Sequence, residues 1–369
     1  IATRVFGSQW FVSVLAVLIA FAIGAILIAL SGASVVDAYY AMFRGSIVDP
    51  NAANAVRMIK PLTDSLFYSI PLIISGLGLA LGFRAGLFNI GGKGQIIVGA
   101  LAAVWVGFAV SLPPVVHTLV ALLVAVIAGG LYGGIAGVLK AKTGANEVIV
   151  TIMLNAIATL GLGYTLAQKA WQVPGTNQPV TPKVADSAAF ARLLPAPFKL
   201  HVGFLVALVA LVAFWWLIER STLGFQIRAV GANAAAARTA GISVERITAI
   251  TMVLSGAFLG LAGANEALGT IGYVSRDVAG SIGFDAITVA LLGRNKTWGT
   301  FGAGLLFGAF KAGGYAMQAK GVPIDMILIL QSVIVLLIAA PALVRWLFRL
   351  PDVCAFAANT RKGNADEHK

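Results

Sequence analysis

Residues 86–95 read GLFNIGGKGQ, four glycines around one asparagine, one lysine and one glutamine. Glycine backbone beside a lysine is what a phosphate-binding loop is made of, but that loop needs a Ser or Thr hydroxyl after the lysine to hold magnesium. Gly94 occupies that position and no hydrophilic nucleotide-binding domain surrounds it, so any ATP used must be bound by another chain. The same residues open an apolar run, which points instead to unwound or broken helix lining a cavity, where exposed backbone is tolerated. Asn146, Glu147 and Asn155 belong to another apolar run, and Asn265, Glu266, Lys311 and Gln331 to later ones. A charge at the bilayer centre costs about 2.5 to 3.5 kcal/mol on insertion scales, so polar residues in such runs are candidates for a substrate pathway. Asn89, Gln95, Asn146, Glu147 and Asn155 form that candidate set. Each has a competing structural role: amides bond between helices, Asn146 and Glu147 cap a helix and neutralise its dipole, and Glu266 and Lys311 reach the outer interface from span ends. Catalysis is not expected. His117, His201 and His368 are not at metal-ligand spacing, Asp366 and Glu367 belong to a polar tail, and the lone Cys354 excludes an intrachain disulfide or a cysteine metal cluster.

Something apolar must position these side chains. Of 369 residues, 59% are hydrophobic and only 11% charged, against roughly 45–50% and about 25% in soluble domains. Neither a water-soluble globule nor a disordered chain has that balance. Crossing a hydrocarbon core of about 30 Å takes about 20 apolar residues as helix. Such runs occur at 10–30, 65–83, 88–110, 115–139, 148–168, 202–218, 247–265, 300–317 and 326–344, with a shorter one at 284–293. The expected fold is therefore all-α and polytopic, about ten transmembrane helices including one short or broken helix, in a single domain over 1–350 followed by a tail, 351–369.

The net charge of +12 is what a membrane protein with basic cytoplasmic loops carries, so nucleic acid is not an expected partner. Placing both termini inside puts Arg84, Lys140, Lys142 and the basic loop 219–246 in the cytoplasm. The segment 169–201, with Pro174, Pro179, Pro182, Pro195 and Pro197, then lies outside as a semi-rigid insertion. Glycine is frequent, 42 residues, and Gly129, Gly133 and Gly137, with Gly256 and Gly260, recur every four positions. That spacing lets helix backbones approach closely. Within 219–246, Gly224 and Gly231 permit a tight entry of the chain and Gly241 can take the left-handed conformation that ends a helix, so 232–240 can form a compact, small-sided helical peg. Arg228 and Arg238 offer fork-like donors for carboxylates at its edges.

Three strings resemble a known group. Residues 222–242 (TLGFQIRAVGANAAAARTAGI), 83–91 through Gln95 (FRAGLFNIG onward) and 144–155 (GANEVIVTIMLN) are similar to transmembrane permease subunits of bacterial ABC importers of the branched-chain amino acid, ribose and nucleoside group, nearest its nucleoside and simple-sugar branch. The resemblance covers most of 60–345, and Lys93 departs from it, since an acidic residue is more usual there. It implies a subunit of the bacterial cytoplasmic (inner) membrane that forms the translocation pathway by alternating access. It further implies a second homologous permease, ABC ATPase subunits holding ATP and magnesium, and an external substrate-binding lipoprotein, with no cofactor in this chain. Gly224, Arg228, Gly231, Asn233, Ala236, Arg238 and Gly241 become the coupling segment to the ATPase. The small-molecule substrate becomes a nucleoside or related compound, with simple sugars or branched-chain amino acids as the alternative. An ion-coupled secondary transporter is a further reading, and would call for paired discontinuous helices and midplane carboxylates.

Overall fold

The computed structural model describes residues 9–52 and 54–323, together with positions 328, 329, 332, 333, 336 and 337. Most of the expected span 326–344, with Gln331, and the tail with Cys354 and His368 lie outside the described residues. The described chain is all-helical: α1 (Gln9–Leu30), α2 (Val35–Ser46), α3 (Ala55–Arg84), α4 (Gly92–Ala109), α5 (Val116–Thr143), α6 (Glu147–Ala167), α7 (Gly203–Trp215), α8 (Thr222–Ala232), α9 (Ala234–Thr239), α10 (Val244–Asn265), α11 (Ile282–Leu292) and α12 (Thr297–Gln318). π-helical turns extend α7 over Trp216–Arg220 and α10 over Glu266–Thr270. Among the described residues six helices are long and apolar enough to cross a membrane, namely α3, α4, α5, α6, α7 with its π turn, and α10 with its π turn. The expected count of about ten is carried that far. The short run became the short helix α11, whereas α12 forms but falls below the apolarity of a span because six of its residues are glycine and one is Lys311. The run expected from residue 88 starts as helix only at Gly92, and the stretch between the apolar runs 10–30 and 65–83 contains α2 and the first turns of α3.

Cα packing divides the chain into two units, residues 1–45 with 313–369 and residues 46–312. In the first, Tyr39 packs its ring edge-on against Phe21. In the second, α3 is the buried centre, whereas α5 and α6 turn rows of exposed apolar side chains outward, among them Leu119, Leu123, Ile127, Ile152, Ile157 and Leu160. Such faces suit hydrocarbon. The core is where α10 crosses α5 and α4, and glycine permits it. A Cβ on Gly129 would lie 2.5 Å from the Gly256 oxygen, and one on Gly99 2.4 Å from the Gly260 Cα.

The Pro-rich segment is pinned down. Thr181 and Val274 exchange hydrogen bonds of 3.0 and 2.9 Å, the second to the threonine Oγ1. Val184 and Phe190 donate to the Gly272 and Leu268 oxygens at 3.0 Å each. His117 bonds Ser187 Oγ (2.8 Å) and the Val106 oxygen (3.0 Å). His201 is buried between Phe67 and Phe190 and accepts from the Gly203 N–H. Burial pushes its pKa down to about 4.

Candidate functional site

α3 ends at Arg84, and Gly86 at φ +72° turns the chain into an irregular stretch that becomes helical again at Gly92. Its backbone groups need partners, which α6 supplies. Glu147, Thr151 and Asn155 are spaced by four and therefore share one face of that helix. Glu147 Oε1 accepts from the Phe88 N–H at 3.4 Å, Thr151 Oγ1 from the Ile90 N–H at 3.3 Å, and Asn155 Oδ1 from the Gly94 N–H at 2.8 Å. Asn155 Nδ2 in turn donates to the Ile90 oxygen at 2.8 Å. Behind this row Asn89 and Gln95, each 1% exposed, form a reciprocal amide pair at 3.1 and 3.3 Å. Asn89 also donates to Ser255 Oγ (2.9 Å) on α10 and accepts from the Gly91 N–H (2.8 Å). The glycines clear the space: a Cβ on Gly91 would stand 2.9 Å from Gln95 Nε2, and one on Gly94 3.1 Å from Asn155 Oδ1.

Four of the five candidate pathway residues thus meet in one latch, Asn89, Gln95, Glu147 and Asn155, with Lys140 held at 2.6 Å from Glu147. The fifth, Asn146, is exposed and caps α6 by accepting from the Val148 N–H at 2.9 Å. Sequence reasoning missed Thr151 and Ser255. The spacing of four between Glu147 and Asn155 was a signal for the threonine, while nothing local marks the serine. Chemically the latch is a fixed polar wall rather than a set of free ligands. Asn155→Leu would strip two partly buried backbone groups of their partners, a cost of about 2–5 kcal/mol. The purified variant should show a clearly lowered thermal midpoint in detergent, with Ile152→Leu on the exposed face unchanged. An unaltered midpoint for Asn155→Leu would remove the latch from the argument.

The segment 219–246 differs from the expected single peg. Residues 232–240 are divided: Gly231 lies inside α8, and Asn233 ends that helix and caps α9 by accepting from the Ala236 N–H at 3.0 Å. Gly224 and Gly231 are likewise helical rather than points of chain turning. Their Cβ positions would fall 2.0 Å from the Leu217 oxygen and 2.1 Å from the Arg84 oxygen, so glycine is required for contact. Gly241 does take the left-handed conformation, at φ +82°, and the Ile242 N–H reaches back to the Ala237 oxygen at 3.0 Å, which is the Schellman closure. Arg238 pairs within the chain with Glu245 at 2.8 Å, so of the two expected edge donors it is already engaged. Arg228 Nη1 is buried with no hydrogen-bond partner among the described residues. A groove of about 570 Å³ opens between the two helices, lined by Thr222, Phe225, Ala229, Ala236 and Ala240 among others.

At the opposite end of α10, Glu266 is buried, 7% exposed, and accepts from Thr270 Oγ1 at 3.2 Å. The expectation that it reaches an interface from a span end is corrected. The irregular segment 181–190 of the cap bonds to the backbone at 268, 272 and 274, just beyond this residue.

The family described as "Branched-chain amino acid transport system / permease component" matches residues 62–339. The guanosine ABC transporter permease protein NupP of Bacillus subtilis is 40% identical over 349 residues, 92% of this chain and 95% of its own length. A glucose ABC transporter permease protein of Haloferax volcanii is 35% identical over 88% of this chain and 85% of its own. The nucleoside ABC transporter permease protein NupB of Lactococcus lactis is 31% identical over 95% of this chain and 97% of its own. No solved structure matches.

Proposed function

The chain belongs to the branched-chain amino acid transport system permease family, and we propose that it forms the translocation pathway of an ATP-driven importer for nucleosides or closely related compounds. It is a multi-pass, non-catalytic ABC permease subunit of the nucleoside and simple-sugar branch. The observation that carries the substrate reading is the identity, 40% and 31%, to guanosine and nucleoside permeases along more than nine-tenths of the chain. The glucose permease at 35% supports simple sugar as the second reading.

In this reading the subunit sits in the bacterial inner membrane with about ten helices and both termini cytoplasmic. The Pro-rich cap faces a substrate-binding lipoprotein, and the α8–α9 groove faces an ABC ATPase that carries ATP and magnesium. A second, homologous permease completes the pathway. Asn89, Gln95, Glu147 and Asn155 brace its wall through the latch, their polar groups engaged with one another, with Lys140 and with backbone rather than free to hold the substrate. Weak contacts suffice when an external protein supplies affinity. Uptake by the complete transporter should be competed by unlabelled guanosine or another nucleoside and should require ATP. Competition by branched-chain amino acids and by no nucleoside or sugar would overturn the assignment.

A further inference from the structure

Three parts of the chain meet at residues 84–86. From one side comes α8: a Cβ on Gly231 would lie 2.1 Å from the Arg84 oxygen and 3.0 Å from the Ala85 carbonyl carbon, and one on Gly86 3.6 Å from the Gly231 Cα. Along the chain the irregular stretch of the latch begins here, held by the Gly86 N–H on the Phe83 oxygen (3.1 Å) and the Leu87 N–H on the Gly82 oxygen (2.9 Å). From the far side comes the turn between α11 and α12, whose Asn295 oxygen accepts from Arg84 Nε at 2.7 Å, across 211 residues of sequence.

That turn is strained and closely built. Arg294 and Asn295 hold φ +53° and +55°, the left-handed region that residues other than glycine rarely occupy, and two in succession persist only where the surroundings fix them. Their N–H groups bond back to the Leu291 and Ala290 oxygens at 2.9 Å each, and the Lys296 N–H to the Gly293 oxygen at 3.1 Å. α12 begins directly against the turn, since a Cβ on Gly299 would lie 2.2 Å from the Gly293 oxygen. Arg84 is half-buried and supplies a charge-assisted donor, the stronger class of hydrogen bond. The other end of α11 is gripped by the same stretch of chain, for a Cβ on Gly283 would lie 2.5 Å from the Lys93 nitrogen. Segment 84–93 thus holds α11 at both ends, by backbone contact at its start and through one side chain just past its finish.

We infer that Arg84 is a positioning residue that passes a displacement of the coupling segment on to α11. Backbone packed on backbone leaves no soft side chain to absorb a movement, so a shift of α8 bears on residues 84–86 through Gly231, and the guanidinium carries it to the Asn295 oxygen. The helix then moves with the latch segment as one piece. This rests on the reading above that the α8–α9 groove faces an ABC ATPase.

The test is hydrogen exchange on the complete transporter, co-purified with its ATPase, with and without a non-hydrolysable ATP analogue. The amides of Arg294, Asn295 and Lys296, all hydrogen-bonded within the turn, report on the far end, and those of 222–242 and 86–91 on the near end. In wild type the analogue should alter exchange in all three stretches, at the turn by about fivefold or more, the low end of coupling between distant sites. Arg84→Met keeps the apolar stem and loses the donor, so it should keep the response at 222–242 and 86–91 and lose it at 294–296. Arg84→Lys retains a cationic donor and should restore that response, which a role in packing alone would not produce. A wild type that responds at 222–242 but not at 294–296, an Arg84→Met variant that still responds at the turn, or a lysine variant that behaves like the methionine one would overturn the role of Arg84 and leave the coupling assignment intact. An analogue that alters nothing in 222–242 of the assembled complex would overturn both.

Discussion

Replacing Gly260 by valine should leave almost no folded subunit to purify. At this position the chain of α10 runs against backbone on two sides. An added Cβ would stand 2.3 Å from the Ala125 oxygen and 3.0 Å from the Gly129 Cα, and the reciprocal Cβ on Gly99 would stand 2.4 Å from the Gly260 Cα. No flexible side chain can move aside, so α10 must separate from both α4 and α5. Overpacking a core ordinarily costs about 1–3 kcal/mol, and a backbone displacement at the main helix crossing exceeds that, against a total stability of about 5–15 kcal/mol. Lipid supplies no hydrophobic drive to restore the contact once small residues stop providing it. Gly161→Val is the control: it lies on the outward face of α6 with nothing within 4 Å of its Cβ position, and should give normal yield. The measurement is the amount of monodisperse subunit recovered in mild detergent. A normal yield from Gly260→Val would show that the crossing relaxes far more easily than its geometry implies.

The second large effect falls on transport rather than folding. Ala236 is exposed on α9 and lines the groove between α8 and α9, so Ala236→Glu leaves the subunit folded and inserted. In the proposed coupling to an ATPase it also places a carboxylate in the groove that the partner's surface would enter. Substrate-stimulated uptake should fall about tenfold or more, through weaker assembly with the ATPase or through hydrolysis uncoupled from uptake, since burying an unpaired charge costs several kcal/mol. Gly241→Val should act in the same direction by another route: φ +82° costs an L side chain about 1–2 kcal/mol, which loosens the closure after α9. Co-purification with the ATPase and uptake in liposomes are the two readouts. Normal values of both, in both variants, would detach this segment from coupling.

Much of this arrangement is legible in the residues alone, because it depends on neighbours along the chain. Hydropathy runs located the six spanning helices to within a few positions, apart from α3, which begins ten residues earlier than its apolar run. The four-residue glycine spacing in α5 and α10 marked the faces that cross, since only residues without bulky side chains allow backbones to approach so closely. Asn146 and Gly241 announced a cap and a left-handed closure from residue type. What the tertiary structure decided is where partners come from far away. Asn155 bonds a backbone group 65 residues distant, and Asn89 a serine 166 residues distant. The stripe on α6 therefore becomes a latch only when α3, α4, α6 and α10 are packed. The break at Asn233 is of the same kind: a run of alanines accepts a continuous helix equally well, and the contact of Gly231 with the Arg84 oxygen sets where α8 lies. The position of Glu266 at the end of an apolar run points to a surface, whereas in the structure it is buried at the end of α10, where the irregular segment 181–190 bonds to the following residues 268–274. Local propensity and hydropathy describe what a segment can become, whereas burial and hydrogen-bond partnership depend on which other segments arrive beside it.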